Sequence, residues 1–156
     1  MATSKDPNAT LAVNRKARHD YFIEDTMEAG LVLKGAEIKS MRDGKVNLRD
    51  SFVIVRDGEA WVRNMHVSPY NQASTHDELD PLRPRKLLLH KRQIRKLDAN
   101  VSQKGMTIVP LRLYLKDNRA KLEIGIAKGK KAYDKRDTIA ERESKRKIER
   151  ALRGRY

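Results

Sequence analysis

The side chains that could do chemistry in this chain are cations, and they fall in three groups. Arg15, Lys16 and Arg18 stand just before His19 and Tyr21; Lys34, Lys39 and Arg42 follow; Lys121, Lys128, Lys130 and Lys131 come late. Several Lys and Arg side chains on one rigid surface bind phosphates, and neighbouring aromatic and polar groups add contacts to bases and RNA loops. Other chemistries lack their parts. His19, His66, His76 and His90 are scattered without paired ligand spacing, so no metal site is expected. No G-x-S-x-G, P-loop or G-x-G-x-x-G occurs, and the glycines of G-I-A-K-G-K-K lie at a strand end with no Ser or Thr after them. His76, Asp77 and Glu78 fall in a proline-flanked polar stretch, where solvated side chains are the expectation. No catalytic residue and no cofactor are expected: the pattern is that of a binding protein.

The charge balance says what would be bound. Among 156 residues, 35 Lys and Arg stand against 21 Asp and Glu, a net charge of +14. From Lys128 to Tyr156 there are 12 basic and 5 acidic residues, so 29 residues hold +7, half the total. Such a chain attracts polyanions, nucleic acid first and anionic membrane second. The absence of Cys removes disulfides and thiolate metal sites and fits a reducing cytoplasm. No apolar run approaches the ~20 residues of a membrane span. The first residues, M-A-T-S-K-D-P-N-A-T-L-A-V, have no apolar core of a signal peptide. A cytoplasmic protein with no membrane partner is expected.

The elements that must hold these cations are mainly strands. Leu122, Ile124 and Ile126 alternate with Glu123 and Gly125, the period of a half-buried strand. Met106–Lys116 reads as a strand with Val109, Leu111, Leu113 and Leu115 inward and Arg112, Tyr114 and Lys116 outward, turning at Asp117-Asn118. Ser51–Arg56 and Glu59–Val67 form a hairpin about Asp57-Gly58, a pair suited to the two positive φ angles of a type I′ turn. Tyr21 and Ile23 begin a short strand. Asp25-Thr26-Met27-Glu28 has the form of a capping box and predicts a short helix ending near Gly30. Residues 30–44 read as a strand with exposed Lys34, Glu37, Lys39 and Arg42, because Gly35 argues against a helix interior. Residues 68–84, with Pro69, Pro81 and Pro84, read as a surface loop. Leu87, Ile94, Leu97 and Val101 share one face of an amphipathic helix stopped by Gly105.

Roughly six strands, one core helix and one helical turn, with tight hairpins and no βαβ repeat, predict a mainly β fold with added helices. A closed antiparallel barrel of the oligonucleotide-binding type leads, with an SH3-like barrel or an open α+β sheet as alternatives. The expected layout is a flexible N-terminus over 1–12, an RNA-binding barrel over 13–129 and a basic tail over 130–156. In a barrel the first and last strands often lie side by side, so the three cationic groups could share one surface.

Five collinear blocks carry a resemblance to the small protein B family, the partners of transfer-messenger RNA in bacterial ribosome rescue. They are N-R-K-A-R-H-D-Y-F-I (14–23), G-L-V-L-K-G-A-E-I-K-S-M-R (30–42), R-K-L-L-L-H-K-R-Q-I (85–94), K-G-M-T-I-V-P-L-R-L-Y (104–114) and I-G-I-A-K-G-K-K-A-Y-D-K-R (124–136). The resemblance implies binding to the transfer-RNA-like domain of transfer-messenger RNA and delivery to stalled ribosomes for peptide tagging. Elongation factor Tu and alanyl-tRNA synthetase would be met indirectly, through the RNA, and a monomer is expected. It implies RNA contacts from Arg15, Arg18, His19, Tyr21, Glu28, Lys34, Lys39, Lys121, Lys128, Gly129, Lys130 and Lys131; Arg42 joins them from the charge pattern. Leu88 lies in an RNA-proximal block of the family, but as an isolated leucine it is expected in the core. A ribosomal protein or general translation factor that binds ribosomal RNA is the other reading of so basic a chain.

The resemblance also turns Tyr133, Asp134, Lys135 and Arg136 toward the ribosome, with Arg142, Lys145, Arg146 and Lys147 of the tail. The family commonly has a lysine where Ala140 stands, and Arg142 and Lys145 are the cations expected to replace it. Thr138 to Glu141 forms a second capping box, and Glu141–Lys145, Glu143–Lys147 and Glu149–Arg153 are pairs worth about 0.2–0.5 kcal/mol each in a helix. Ile139, Ile148 and Leu152 make no continuous stripe, and an isolated helix of this length is marginal in water. The tail is therefore expected to be disordered when free and helical against the decoding centre and messenger channel.

Overall fold

In the computed structural model, which describes residues 7–69 and 80–130, the chain runs β1 (Thr10–Val13), α1 (Arg15–Asp20), β2 (Tyr21–Leu31), α2 (Gly35–Arg42), β3 (Val46–Asn47), β4 (Phe52–Arg56), β5 (Glu59–Arg63), β6 (His66–Val67), β7 (Arg85–Leu88), α3 (Lys91–Lys104), β8 (Thr107–Lys116) and β9 (Arg119–Gly129). Two hairpins form as the turn residues require. Asp57 and Gly58 have φ of 54° and 73°, and Asp117 and Asn118 have 50° and 64°, so both turns place two residues in the left-handed region. The main sheet runs β1-β8-β4-β5-β7-β2-β9, and β9 also pairs with β8, so the ladder returns to the strand near which it began. All of its pairings are antiparallel. A short β3–β6 ladder lies apart.

The alternation that marked β9 is used as expected: Leu122, Ile124 and Ile126 are buried and join the core with Ile108 and Leu113 of β8, Val53, Val62, Ala29 and Leu87. Met41 of α2 and Ile94 and Leu97 of α3 complete it. α3 stops where Gly105 takes φ 62°.

Several local expectations give way to longer-range pairing. Residues 25–30 are strand, not helix: β2 stays in register with β9 from Tyr21↔Gly129 to Gly30↔Lys121, with one irregularity between Ile23 and Asp25. The capping-box carboxylates find other partners, Asp25 on Lys96 and Glu28 on Tyr114. Conversely, Gly35–Arg42 is helix, not strand. Gly35 sits at its first position, where the interior penalty does not apply, and the Glu37 carboxylate accepts the Lys34 N–H at 2.8 Å. Residues 15–20 are also helical. Thr10 and Ala12, expected in a flexible N-terminus over 1–12, pair with β8 together with Val13. Leu87 belongs to strand β7, and α3 begins only after His90. Val109 and Leu111 leave the main core for a second cluster, because the β8–β9 register shifts between Pro110 and Arg112.

Glu37, expected on an exposed face, is only 3 % exposed. Its two oxygens accept from Arg83 and from Arg85, the latter at 2.5 Å. Arg85 is 1 % exposed and also donates to the carbonyls of Met65 at 2.6 Å and Pro81 at 3.1 Å. Burial alone would push the Glu37 carboxyl up, but the bonds from Arg83, the Lys34 amide and Arg85 outweigh it and hold it below the ordinary 4.5. A carboxylate depressed in the fold stabilises it above the unfolded pKa, and that stability is lost as pH falls through the lower, folded value. Glu37→Gln leaves Arg85 buried without its anion, so it should cost about 3–5 kcal/mol. Denaturant melts from pH 7 to pH 3 check this: the wild type should lose stability steadily below 4.5, and the variant should show a flatter acid limb.

Candidate nucleic-acid interface

The first cationic group is mounted on α1, and Asn14 fixes that helix. Its Oδ1 accepts from Ala17 N at 3.1 Å, and its Nδ2 donates to the carbonyls of Pro110 at 2.8 Å and Leu48 at 3.2 Å. The buried Asn14 thus caps the helix and fastens it to two distant segments. Ala17 is the one residue of α1 that is fully buried, against Val109, Leu111 and Ala127, with Tyr21 and Ile23 beside them. Gly125 makes room on the sheet: a Cβ there would stand 2.9 Å from Leu111 Cδ1 and 3.0 Å from Ile23 Cγ2. With that face packed, Arg15, Arg18 and His19 are left exposed. Lys16 reaches Asp50 at 2.6 Å, and His19 Nδ1 lies 3.0 Å from Asp20.

The last group adjoins the first through the β2–β9 ladder. Tyr21 is opposite Gly129 and Phe22 opposite Lys128. Lys130 Nζ lies 5.0 Å from the centre of the Phe22 ring, within cation–π range, and Lys128 is 3.5 Å from Glu24.

From α1 a polar strip continues along the outer face of β9, β2 and β8. Arg18 meets Glu123 at 3.4 Å. Glu123 stands opposite Glu28 on β2 and Arg112 on β8, and Lys121 stands opposite Gly30 and Tyr114. Tyr114 donates its hydroxyl to Glu28 at 2.7 Å, Lys116 reaches the other oxygen of Glu28 at 3.4 Å, and the Arg112 guanidinium lies 4.1 Å over the Tyr114 ring. The Tyr114 bond, helped by Lys116 and Lys121 against a smaller effect of burial, holds the Glu28 carboxyl below its ordinary range. Burial and the bond to Glu28 push the Tyr114 phenol well up. Near neutral pH the strip therefore keeps a fixed carboxylate acceptor and a protonated phenol.

Beyond Glu28, an open groove is lined by Glu28, Gly30, Lys121, Leu88, His90 and Lys91. Leu88 is 54 % exposed, which corrects its expected place in the core. Its side chain lies over Gly30, where a Cβ would come 3.1 Å from Leu88 Cβ.

The structure thus joins two of the three cationic groups and sets the third aside. Lys39 and Arg42 ride on α2 and Lys34 is its N-cap residue, so none of them stands on a strand, and α2 packs beside β6. Its link to the strip is Arg42, 3.5 Å from the Asn118 carbonyl at the β8–β9 turn. Lys131, Tyr133, Asp134, Lys135, Arg136, Arg142, Lys145, Arg146 and Lys147 lie outside the described residues, as do His76, Asp77 and Glu78. Sequence reasoning missed Asn14, whose role needs partners 34 and 96 residues away. It also missed Arg112, Tyr114 and Glu123 as part of the strip, although the outward alternation of β8 had turned Arg112 and Tyr114 to one face. Among the described residues no group of His, Cys, Asp and Glu could hold a metal ion, and no helix is long and apolar enough to cross a membrane.

Known proteins resemble the whole chain. The family described as SmpB protein matches residues 11–154. An SsrA-binding protein of Roseiflexus sp. (strain RS-1) is 57 % identical over 155 residues, 99 % of this chain and 98 % of its own length. The SsrA-binding protein of Chloroflexus aggregans is 58 % identical with the same coverage. A solved structure described as "tmRNA-SmpB: a journey to the center of the bacterial ribosome" superposes with a TM-score of 0.65 at 48 % identity, covering 81 % of this chain and 86 % of that one.

Tyr114→Phe removes the phenol donor from Glu28 and little else. The Glu28 carboxyl should rise toward its ordinary 4.5, while melting changes by no more than about 1 kcal/mol when one partly exposed bond is removed. Carboxyl chemical shifts followed through an acid titration check the direction.

Proposed function

The chain belongs to the SmpB protein family, and we propose that it binds the transfer-RNA-like domain of transfer-messenger RNA and brings that RNA to stalled ribosomes for peptide tagging and ribosome rescue. The observation that carries this reading is the union of α1 with the outer face of β2 and β9. On that face Arg18 meets Glu123, which stands opposite Glu28 and two residues from Lys121, while Lys128 lies at the end of the same ladder opposite Phe22. Such a surface offers cations to phosphates and a fixed carboxylate to base or 2′-hydroxyl donors. The names of the relatives, SsrA-binding proteins, and the ribosomal setting of the solved structure support the same partner.

The sheet is proposed to be a closed barrel of the oligonucleotide-binding type. Support comes from the ladder that leaves β8 through β4 and returns through β9. Lys34 at the N-cap of α2 and Lys39 and Arg42 on it would extend the RNA contact past the β8–β9 turn, with Gly129 at the opposite end, and Lys131 would be a further RNA contact. Tyr133 to Arg136 and the cations Arg142, Lys145, Arg146 and Lys147 would face the decoding centre and messenger channel. Elongation factor Tu and alanyl-tRNA synthetase would act on the RNA and not on this chain, which would work as a monomer with no catalysis of its own.

Two outcomes follow from this placement. Arg18→Ala with Lys121→Ala should weaken binding to the transfer-RNA-like fragment and flatten its log–log salt dependence by about one unit for each phosphate no longer neutralised. Titrations at several salt concentrations check it; unchanged affinity and slope would remove the strip from the interface. Cutting the chain after Lys131 should leave that binding nearly intact and abolish tagging of stalled peptides, read in a reconstituted translation reaction. Full tagging by the shortened chain would refute the role given to the tail.

A further inference from the structure

The outer face of the β4–β5 hairpin carries an aromatic and cationic groove separate from the strip on β2, β8 and β9. In register, Phe52 stands opposite Arg63, Ile54 opposite Trp61 and Arg56 opposite Glu59, while Lys86 of β7 flanks Trp61 on its other side. Val53, Ala60 and Val62 point into the core, so these alternate residues face out. Phe52 is 37 % exposed and Trp61 is half-buried. Ile54, Trp61 and Pro84 line an open groove of about 380 Å³, together with the cations Arg56 and Arg63 and the carboxylates Asp57 and Glu59.

The charges of this face favour an anion. Lys86 lies 3.6 Å from Glu59 and Arg56 lies 3.9 Å from Asp57, while Arg63 is exposed and forms no ion pair among the described residues. An indole beside an uncompensated guanidinium on a sheet face suits a base stacked on the ring with its phosphate on the cation. The groove meets the Leu88 groove of the proposed interface at one end, and at the other Phe52, paired with Arg63, leads toward α1. Phe52 lines a recess with Asn14, Lys16 and Tyr21 beside α1, and Asp57 and Glu59 border the groove that holds Glu28, Leu88 and Lys121 as well.

We propose that Trp61 stacks on an unpaired base of the same transfer-messenger RNA, with Arg63 taking the adjacent phosphate. The bound RNA then follows the sheet from α1 across β4 and β5 to β7 and β2. This rests on the function proposed above and adds a contact to it.

The chain has a single tryptophan, so indole emission reports this position alone. Titrating the full chain with the transfer-RNA-like fragment should quench the emission saturably, with the midpoint found by an independent binding measurement. Trp61→Ala should weaken binding roughly 5- to 150-fold, as removal of one stacked base does, and Trp61→Phe should restore most of it. Arg63→Gln, an exposed change, should lower the log–log salt slope by about one and decides the matter if Trp61→Ala fails to fold. Unchanged emission at saturating fragment, with an unaltered slope for Arg63→Gln, would overturn the stacking contact while leaving the proposed function standing. Quenching by a decoding-site ribosomal RNA hairpin but not by the fragment would overturn the choice of RNA. A wild-type chain that does not bind the fragment at all would instead bring down the function itself.

Discussion

The strip at the centre of the proposed interface depends on β9 being paired along both edges at once. Nine residues of β2 lie in register with it on one side and nine of β8 on the other. A strand held this way has two committed faces. Leu122, Ile124 and Ile126 fill the core, and Lys121, Glu123, Gly125 and Ala127 form the opposite face. That second face does two jobs along its length. Where Gly125 and Ala127 leave room, α1 lies down on Ala17; where Lys121 and Glu123 stand, the face stays polar and meets Arg18, Glu28 and Tyr114. A one-residue slip of β9 would bury the charges and expose the leucine and isoleucines, so register and binding surface are specified together.

The strip is more than a patch of positive charge. Glu28 and Glu123 stand among Arg18, Arg112, Lys116 and Lys121, and each carboxylate holds a neighbour at a definite distance. Exposed ion pairs of this kind add no more than about 1 kcal/mol each to stability. Their value lies in orientation: cations held by fixed acceptors present a patterned surface, and a carboxylate whose pKa is depressed remains an acceptor as phosphates approach. In the proposed role the net charge of +14 would supply long-range attraction, and the pattern would supply the discrimination that attraction lacks.

What the sequence made legible was whatever a short window can hold. The turns at Asp57-Gly58 and Asp117-Asn118, the alternation of β9 and the stop of α3 at Gly105 all depend on adjacent residues, and each forms as read. The errors fall where a distant partner overrules a local signal. Asp25 to Glu28 could cap a helix in isolation, but pairing with β9 offers a full ladder of backbone bonds in its place. Glu37 looked like a solvated charge because Arg83 and Arg85 are 46 and 48 residues away. The helices α1 and α2 span only 6 and 8 residues, too few turns for an apolar period to emerge. The cationic groups themselves were visible, whereas the strip that connects two of them needed the register of three strands.

The most direct measurement of the proposed function is the identity of the RNA that stays with the full-length chain when it is isolated from cells under native conditions. Sequencing that RNA should return one abundant transfer-messenger species, protected from nuclease within its transfer-RNA-like domain. Bulk ribosomal RNA, or a mixture of ordinary transfer RNAs, recovered in its place would contradict it.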